Sequence, residues 1–146
     1  MYKLKSPEVD NMIVKTGDVV FVNIPNGIGS QQTGQRYAVV ISNNVGNKHS
    51  PTVEIMPGTT KRNNSKMPTH AHFLAGECGL PFDTVFEAES KWTINKFQIK
   101  NIIGHMDDTQ LERIAVAMVY ATPIVMKAFE KGVQFTNTFE KISKTT

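Results

Sequence analysis

Up to Met106 the apolar residues of this chain fall in short runs of strand length, and from Asp107 they recur three and four residues apart. A single change of period of that kind predicts a sheet followed by one terminal helix. In "GDVVFVNI" (17–24), Val19, Phe21 and Asn23 alternate with Val20, Val22 and Ile24, as in a strand. "YAVVIS" (37–42) is continuously apolar, as in a strand buried on both faces. "TVEIMP" (52–57), "PTHAHF" (68–73), "TVFEAESKWTI" (84–94) and "KNIIGHM" (100–106) extend the series. In "DDTQLERIAVAMVYA", Leu111, Ile114, Ala115, Met118 and Val119 share one helical face. Asp107 or Asp108 suits its N-cap, and Gln110 stands at capping-box spacing from Asp107. Pro123, which lacks an amide hydrogen, ends or kinks this helix before Ile124, Val125 and Phe129 resume the apolar spacing. Five or six strands in about 90 residues predict a mainly β fold with C-terminal α, a small curled antiparallel barrel capped by a helix. The domain spans 15–121, with a leader over 1–14 and a C-terminal helical extension and tail over 122–146.

A chain of 146 residues can bury one core. Its single cysteine, Cys78, has no partner for a disulfide or a thiolate metal site, and "GECGL" reads as a turn holding a partly buried thiol. The N-terminal "MYKLKSPEVDNM" lacks the apolar stretch of a signal peptide, and no run approaches the roughly 18 apolar residues of a membrane span. A cytoplasmic protein is therefore expected. A net charge of +3 permits a polyanionic partner without requiring one.

Several residues could carry chemistry. Arg36 precedes the second strand, and its planar, permanently charged fork suits phosphate oxygens. The plain alternative is a surface arginine bridging to a loop carboxylate. Thr59 and Thr60 follow the third strand, where a hydroxyl can donate to a phosphate or bond its own backbone. If strands 37–42 and 52–57 form an antiparallel hairpin, Arg36 and residues 58–60 fall at the same end. The flanking loops, with Ser30, Gln31, Gln32, Thr33, Thr60, Lys61 and Arg62, suit single-stranded nucleic acid or are simply solvated. His70 and His72 share a strand face, but no acidic or cysteine partner stands at useful spacing, so no metal is expected. His49 and His70 are candidate proton carriers. Trp92 is either core or a base-stacking platform.

Taken in order, "GDVVFVNI", "GSQQTGQRYAVVISNN", "GNKHSPTVEIMPGTT", "KMPTHAHF", "TVFEAES", "WTINK" and "IIGHMDDTQLERI" resemble the MazF/PemK family of toxin endoribonucleases from bacterial toxin–antitoxin modules. The resemblance covers roughly residues 13 to 120. It implies an SH3-like or CcdB-like barrel, a homodimer with single-stranded mRNA lying across it, a cognate antitoxin, and no cofactor. It also implies sequence-selective cleavage by 2′-OH attack, leaving a 2′,3′-cyclic phosphate and a 5′-OH. The family's catalytic arginine and threonine correspond to Arg36 and Thr59, and Ser90 and Asn95 join the candidate RNA contacts.

Four positions depart from the family's usual pattern: Gln31 stands for an acidic residue, Tyr37 for proline, Trp92 for arginine and Asn95 for aspartate. They thin the charge around the site and bear on cleavage rate and base preference. Two other functions stay open on sequence grounds. One is a non-catalytic, CcdB-like toxin that binds DNA gyrase through its C-terminal helix. The other is an RNA-binding relic without turnover.

Overall fold

The computed structural model describes residues 13–24, 34–60 and 66–132. Strand β1 (Asp18–Ile24) pairs antiparallel with β2 (Gly34–Val40), setting Val19 opposite Val39 and Val22 opposite Arg36. Strand β3 (Thr52–Thr59) adds to β2 with Val39 opposite Met56. Its other edge is shared: β6 (Trp92–Asn95) takes Thr52 to Ile55, and β5 (Thr84–Glu87) takes Gly58 and Thr59. Strand β4 (His70–Phe73) lies outside β5, and β7 (Ile99–His105) lies outside β1. The order is β4-β5-β3-β2-β1-β7, with β6 attached to β3.

The sheet is not closed into the barrel that the sequence predicts. Among the described residues its outer strands, β4 and β7, do not pair with each other. A turn fills the seam instead. The 3-10 turn Glu77–Gly79 follows β4 and lays its main chain against Ile103 and Gly104 of β7. A Cβ on Gly79 would press into the Ile103 carbonyl, and one on Gly104 into the Cys78 carbonyl. Two facing glycines allow main chain to meet main chain where side chains would hold the segments apart.

Alternation along the strands sends buried side chains to both faces of the sheet. Val20, Val22, Ala38, Val40 and Ile55 build one cluster, with Val14 and Trp92 packed into it. Val19, Val39, Met56 and Phe86 build the other, beneath the first helix after β7. Each large aliphatic or aromatic side chain so buried contributes roughly 1.5–3 kcal/mol. Ala38, Val39 and Val40 are all fully buried, as the unbroken apolar run predicts. Val14 is buried too, so the packed domain begins inside the stretch assigned to the leader.

Three element boundaries differ from the sequence expectation. Strand β2 begins at Gly34, because its ladder with β1 continues to Ile24 opposite Gly34. The run 84–94 is broken by a 3-10 turn at Ala88–Ser90, since β5 and β6 pair with different parts of β3. Residues 43–51 hold a short helix, α1 (Asn44–His49), whose cap Asn43 accepts from the Gly46 amide at 2.9 Å.

Helix α2 (Asp108–Ala121) carries the expected capping box. Asp107 Oδ1 accepts from the Gln110 amide at 2.8 Å, and Gln110 Oε1 accepts from the Asp107 amide at 2.9 Å. Ile114 and Ala117 are its buried residues, whereas Ala115, assigned to that face by periodicity, is exposed. The chain stops being helical at Thr122, and Pro123 opens α3 (Pro123–Glu130), none of whose residues is buried. Among the described residues no helix is long and apolar enough to cross a membrane.

Candidate active site and RNA surface

The β2–β3 hairpin does what the sequence argument required of it. Its printed register runs from Val40–Ile55 through Val39–Met56 to Ala38–Pro57. The ladder ends at that pair, and Arg36 and Thr59 each stand two residues beyond it on their own strands. Both are half-buried and stand at the open end of the hairpin. Arg36 lies inside β2, opposite Val22, rather than at a loop-to-strand junction. Its backbone is therefore held by the ladder to β1, which is the rigidity a phosphate-gripping cation needs.

Thr59 is fixed from its other side by pairing with Val85 of β5. Next to it, Gly58 leaves room for that strand to approach. A Cβ there would lie 2.6 Å from Thr84 Cγ2 and 3.2 Å from the Phe86 ring. Thr84 is itself buried, and its hydroxyl donates to the Phe82 carbonyl at 2.9 Å. Thr60 is exposed immediately beyond Thr59.

Other candidates are not gathered at this end. His49 closes α1 in the connection at the far end of the hairpin, and the four residue steps from Arg36 to Val40 alone span about 13 Å. Asn95 pairs with Thr52, about 23 Å along β3 from Thr59 at strand rise. There it caps the 3-10 turn Lys96–Gln98, its amide donating to Gln98 Oε1 at 2.8 Å. Ser90, half-buried, ends the turn between β5 and β6. Trp92 packs against the aliphatic cluster, as core rather than as an exposed platform. Tyr37 meets Phe21 with ring centroids 5.1 Å apart. Ser30, Gln31, Gln32, Thr33, Lys61 and Arg62 lie outside the described residues.

His70 is held away from solution chemistry. Its side chain is 4% exposed, and its Nε2 lies 2.5 Å from Glu89 Oε1. Burial works to raise the Glu89 carboxyl, yet its own main-chain amide and His70 hold it below the ordinary carboxylate value. With Glu87, opposite His70 across the β4–β5 ladder, these groups place three ligand-type atoms within 4.8 Å of one another. Sequence spacing missed this trio because it closes across strands. His70 Nδ1, however, is buried without a hydrogen-bond partner. A proton there would be an orphaned donor, which favours the tautomer whose Nε2–H donates a hydrogen bond to Glu89. A metal on Nε2 would force that proton onto Nδ1, where nothing accepts it. The trio suits a hydrogen-bonded pair between buried His70 and exposed Glu89 better than a cation.

Two further side-chain contacts brace this part of the fold. His105 Nδ1 lies 2.8 Å from Asp18 Oδ1, and Asp18 Oδ2 accepts from the Lys15 amide at 2.8 Å. Arg113 of α2 grips Glu77 and donates to the His72 carbonyl at 2.9 Å, its guanidinium 4.1 Å above the Phe73 ring. Hydrogen bonding to Arg113, then to the Leu74 amide, holds the Glu77 carboxyl down to about 2. The adjacent Cys78 sits at φ +43°, and burial, with the Glu77 charge, pushes its thiol up to about 11. A thiol so high is no nucleophile near neutral pH.

The sequence reading passed over Phe82 and Asp83. Phe82 is 59% exposed beside Thr60, and the only sequence sign was a large aromatic in the turn-like "LPFD".

Residues 15–120 match the family model for PemK-like, MazF-like toxins of type II toxin–antitoxin systems. Over 114 residues the chain is 34% identical to endoribonuclease EndoA of Bacillus subtilis (strain 168), covering 78% of this chain and 98% of that protein. It is similar in fold to MazF of Deinococcus radiodurans, with a TM-score of 0.64 at 18% identity, covering 75% of this chain and 96% of that one. It is also similar to a mycobacterial endoribonuclease solved with its cognate antitoxin, with a TM-score of 0.60 at 20% identity, covering 74% and 93%.

Proposed function

The chain belongs to the PemK-like, MazF-like toxin family of type II toxin–antitoxin systems, and on that premise we propose that it is a cytoplasmic toxin that cuts single-stranded RNA at selected sequences without a metal ion. The observation that carries this reading is the register of β2 and β3, which brings a cation and a hydroxyl to one end of the hairpin.

In the proposed reaction the ribose 2′-oxygen attacks the adjacent phosphorus and loses its proton. The bond from phosphorus to the 5′-oxygen breaks, and that oxygen leaves with a proton as 5′-OH. The other product is a 2′,3′-cyclic phosphate. Arg36 offsets the charge that grows on the phosphorane oxygens and donates a hydrogen bond to the leaving oxygen, whose proton comes from water. It cannot serve as the base, because a guanidinium does not give up its proton in proteins. Thr59 orients the phosphate or the 2′-hydroxyl, with its backbone paired to Val85 of β5. The toxin acts as a homodimer and is neutralised by a cognate antitoxin. Val116, Tyr120 and Ile124, all exposed along α2 and α3, offer apolar surface for assembly.

The test is incubation of the purified full-length chain with a long RNA in EDTA, followed by end mapping. Discrete cuts with cyclic-phosphate ends are expected from the wild type and none from Arg36→Ala. Toxicity that survives in Arg36→Ala while RNA stays intact would overturn the reading in favour of a protein-binding toxin.

A further inference from the structure

Next to Thr59 the surface opens into a hollow of about 470 Å³, lined by Thr60, Ala75, Pro81, Phe82 and Asp83. Its Phe82 ring is 59% exposed, yet the flanking Leu80 and Thr84 are each 1% exposed. The backbone between them is tied down. Thr84 Oγ1 donates to the Phe82 carbonyl at 2.9 Å, the Ala75 amide to Asp83 Oδ1 at 2.8 Å, and the Gly76 amide to the Leu80 carbonyl at 2.7 Å. An aromatic ring held out into water on a fixed turn contributes nothing to the core. It is placed to be covered by something flat.

The position names the occupant. Val85, paired with Thr59, is three residues from Phe82, at most about 10 Å of chain. Thr60, the chain neighbour of Thr59, lines the hollow itself. Asp83 excludes a phosphate by like charge but can accept from an amino group. An aromatic face beside a carboxylate therefore fits a nucleobase rather than the nucleic-acid backbone.

We propose that Phe82 is the stacking platform, and Asp83 the amino-group acceptor, for a nucleobase flanking the scissile phosphate. This rests on the ribonuclease reading above. It assigns part of the sequence selectivity to the 80–83 turn and favours cytosine, adenine or guanine there over uracil, which has no exocyclic amino group.

The experiment compares full-length wild type, Phe82→Ala, Phe82→Trp and Asp83→Asn. One assay is end-mapped cleavage of a long RNA. The second is the fluorescence of an oligonucleotide carrying 2-aminopurine beside the cleavage position and a 2′-deoxyribose at it, which binds but cannot be cut. Losing a base–aromatic stack lowers kcat/KM by roughly 5- to 150-fold in Phe82→Ala. Phe82→Trp restores most of it, and Asp83→Asn relaxes the preference at one flanking base. The 2-aminopurine signal is quenched by wild type and not by Phe82→Ala. Unchanged kcat/KM and fragment pattern in Phe82→Ala, beside an active wild type, overturn the inference. So does an effect confined to antitoxin affinity, which would make the hollow a peptide site. If wild type cuts no RNA but still quenches the probe, the hollow stands and the ribonuclease reading falls. With neither cleavage nor quenching, both fall.

Discussion

Replacing Glu77 with glutamine removes one charge and almost no volume, and its effect can be worked from the structure. Glu77 sits in the turn that fills the seam against β7 and is gripped by Arg113 from α2. A carboxyl lowered from 4.5 to about 2 corresponds to at most ~3.4 kcal/mol of folding free energy at neutral pH. The two side chains are 27% and 39% exposed, so solvent screening cuts this to about 1–2 kcal/mol. A folded-state value below the unfolded one gives stability that is present above pH 4.5 and is lost as pH falls toward 2. Glutamine keeps an acceptor for the Leu74 amide, so the change reports chiefly on the ion pair. Urea unfolding at pH 7 should place Glu77→Gln about 1–2 kcal/mol below wild type. The gap should shrink through the interval from pH 4.5 to 2 and close at its lower end. Equal stabilities at pH 7, or a gap that persists undiminished at pH 2.5, would refute the assignment.

Gly58→Ala should destabilise the fold by about 1–3 kcal/mol and reduce RNA cleavage, because the new methyl lies 2.6 Å from the buried Thr84 and pushes β5 off Thr59. Urea unfolding and a cleavage assay check this, and normal values in both would contradict it. Cys78, with its thiol pushed up to about 11, should react slowly with a disulfide reagent at pH 8, its rate still climbing at pH 10. A rate that levels off below pH 9 would show that the thiol is not buried as described.

The parts of the fold that could be read from the sequence are those set by local periodicity. β1 and the apolar core of β2 announce themselves, and so does α2 with its Asp107–Gln110 capping box, because alternation, burial on both faces and helical spacing are written in neighbouring residues. The placing of Arg36 and Thr59 at one end of the hairpin was also within reach, since a hairpin brings its open ends together. What could not be read depends on contacts distant in sequence. Nothing in "GECGL" tells that Gly79 meets Gly104, so closure by a turn instead of a ladder was missed. His70 looked available as a proton carrier, whereas Glu89, nineteen residues on, claims its Nε2 and leaves it buried. Nothing in the sequence sets Phe82 apart from the other seven of its 8 phenylalanines, and only the tertiary structure turns it outward.

The contact of Gly79 with Gly104 has a consequence for how such a protein can diversify. Because the join is made of main chain alone, it is blind to the side chains carried a few residues later in the same loop. Position 82 can then be exchanged without unseating the segment that presents it, whereas Asp83 also holds the turn through the Ala75 amide. A library randomised at position 82, with both glycines and Asp83 kept, would be a source of toxins with altered target preference on an unaltered frame.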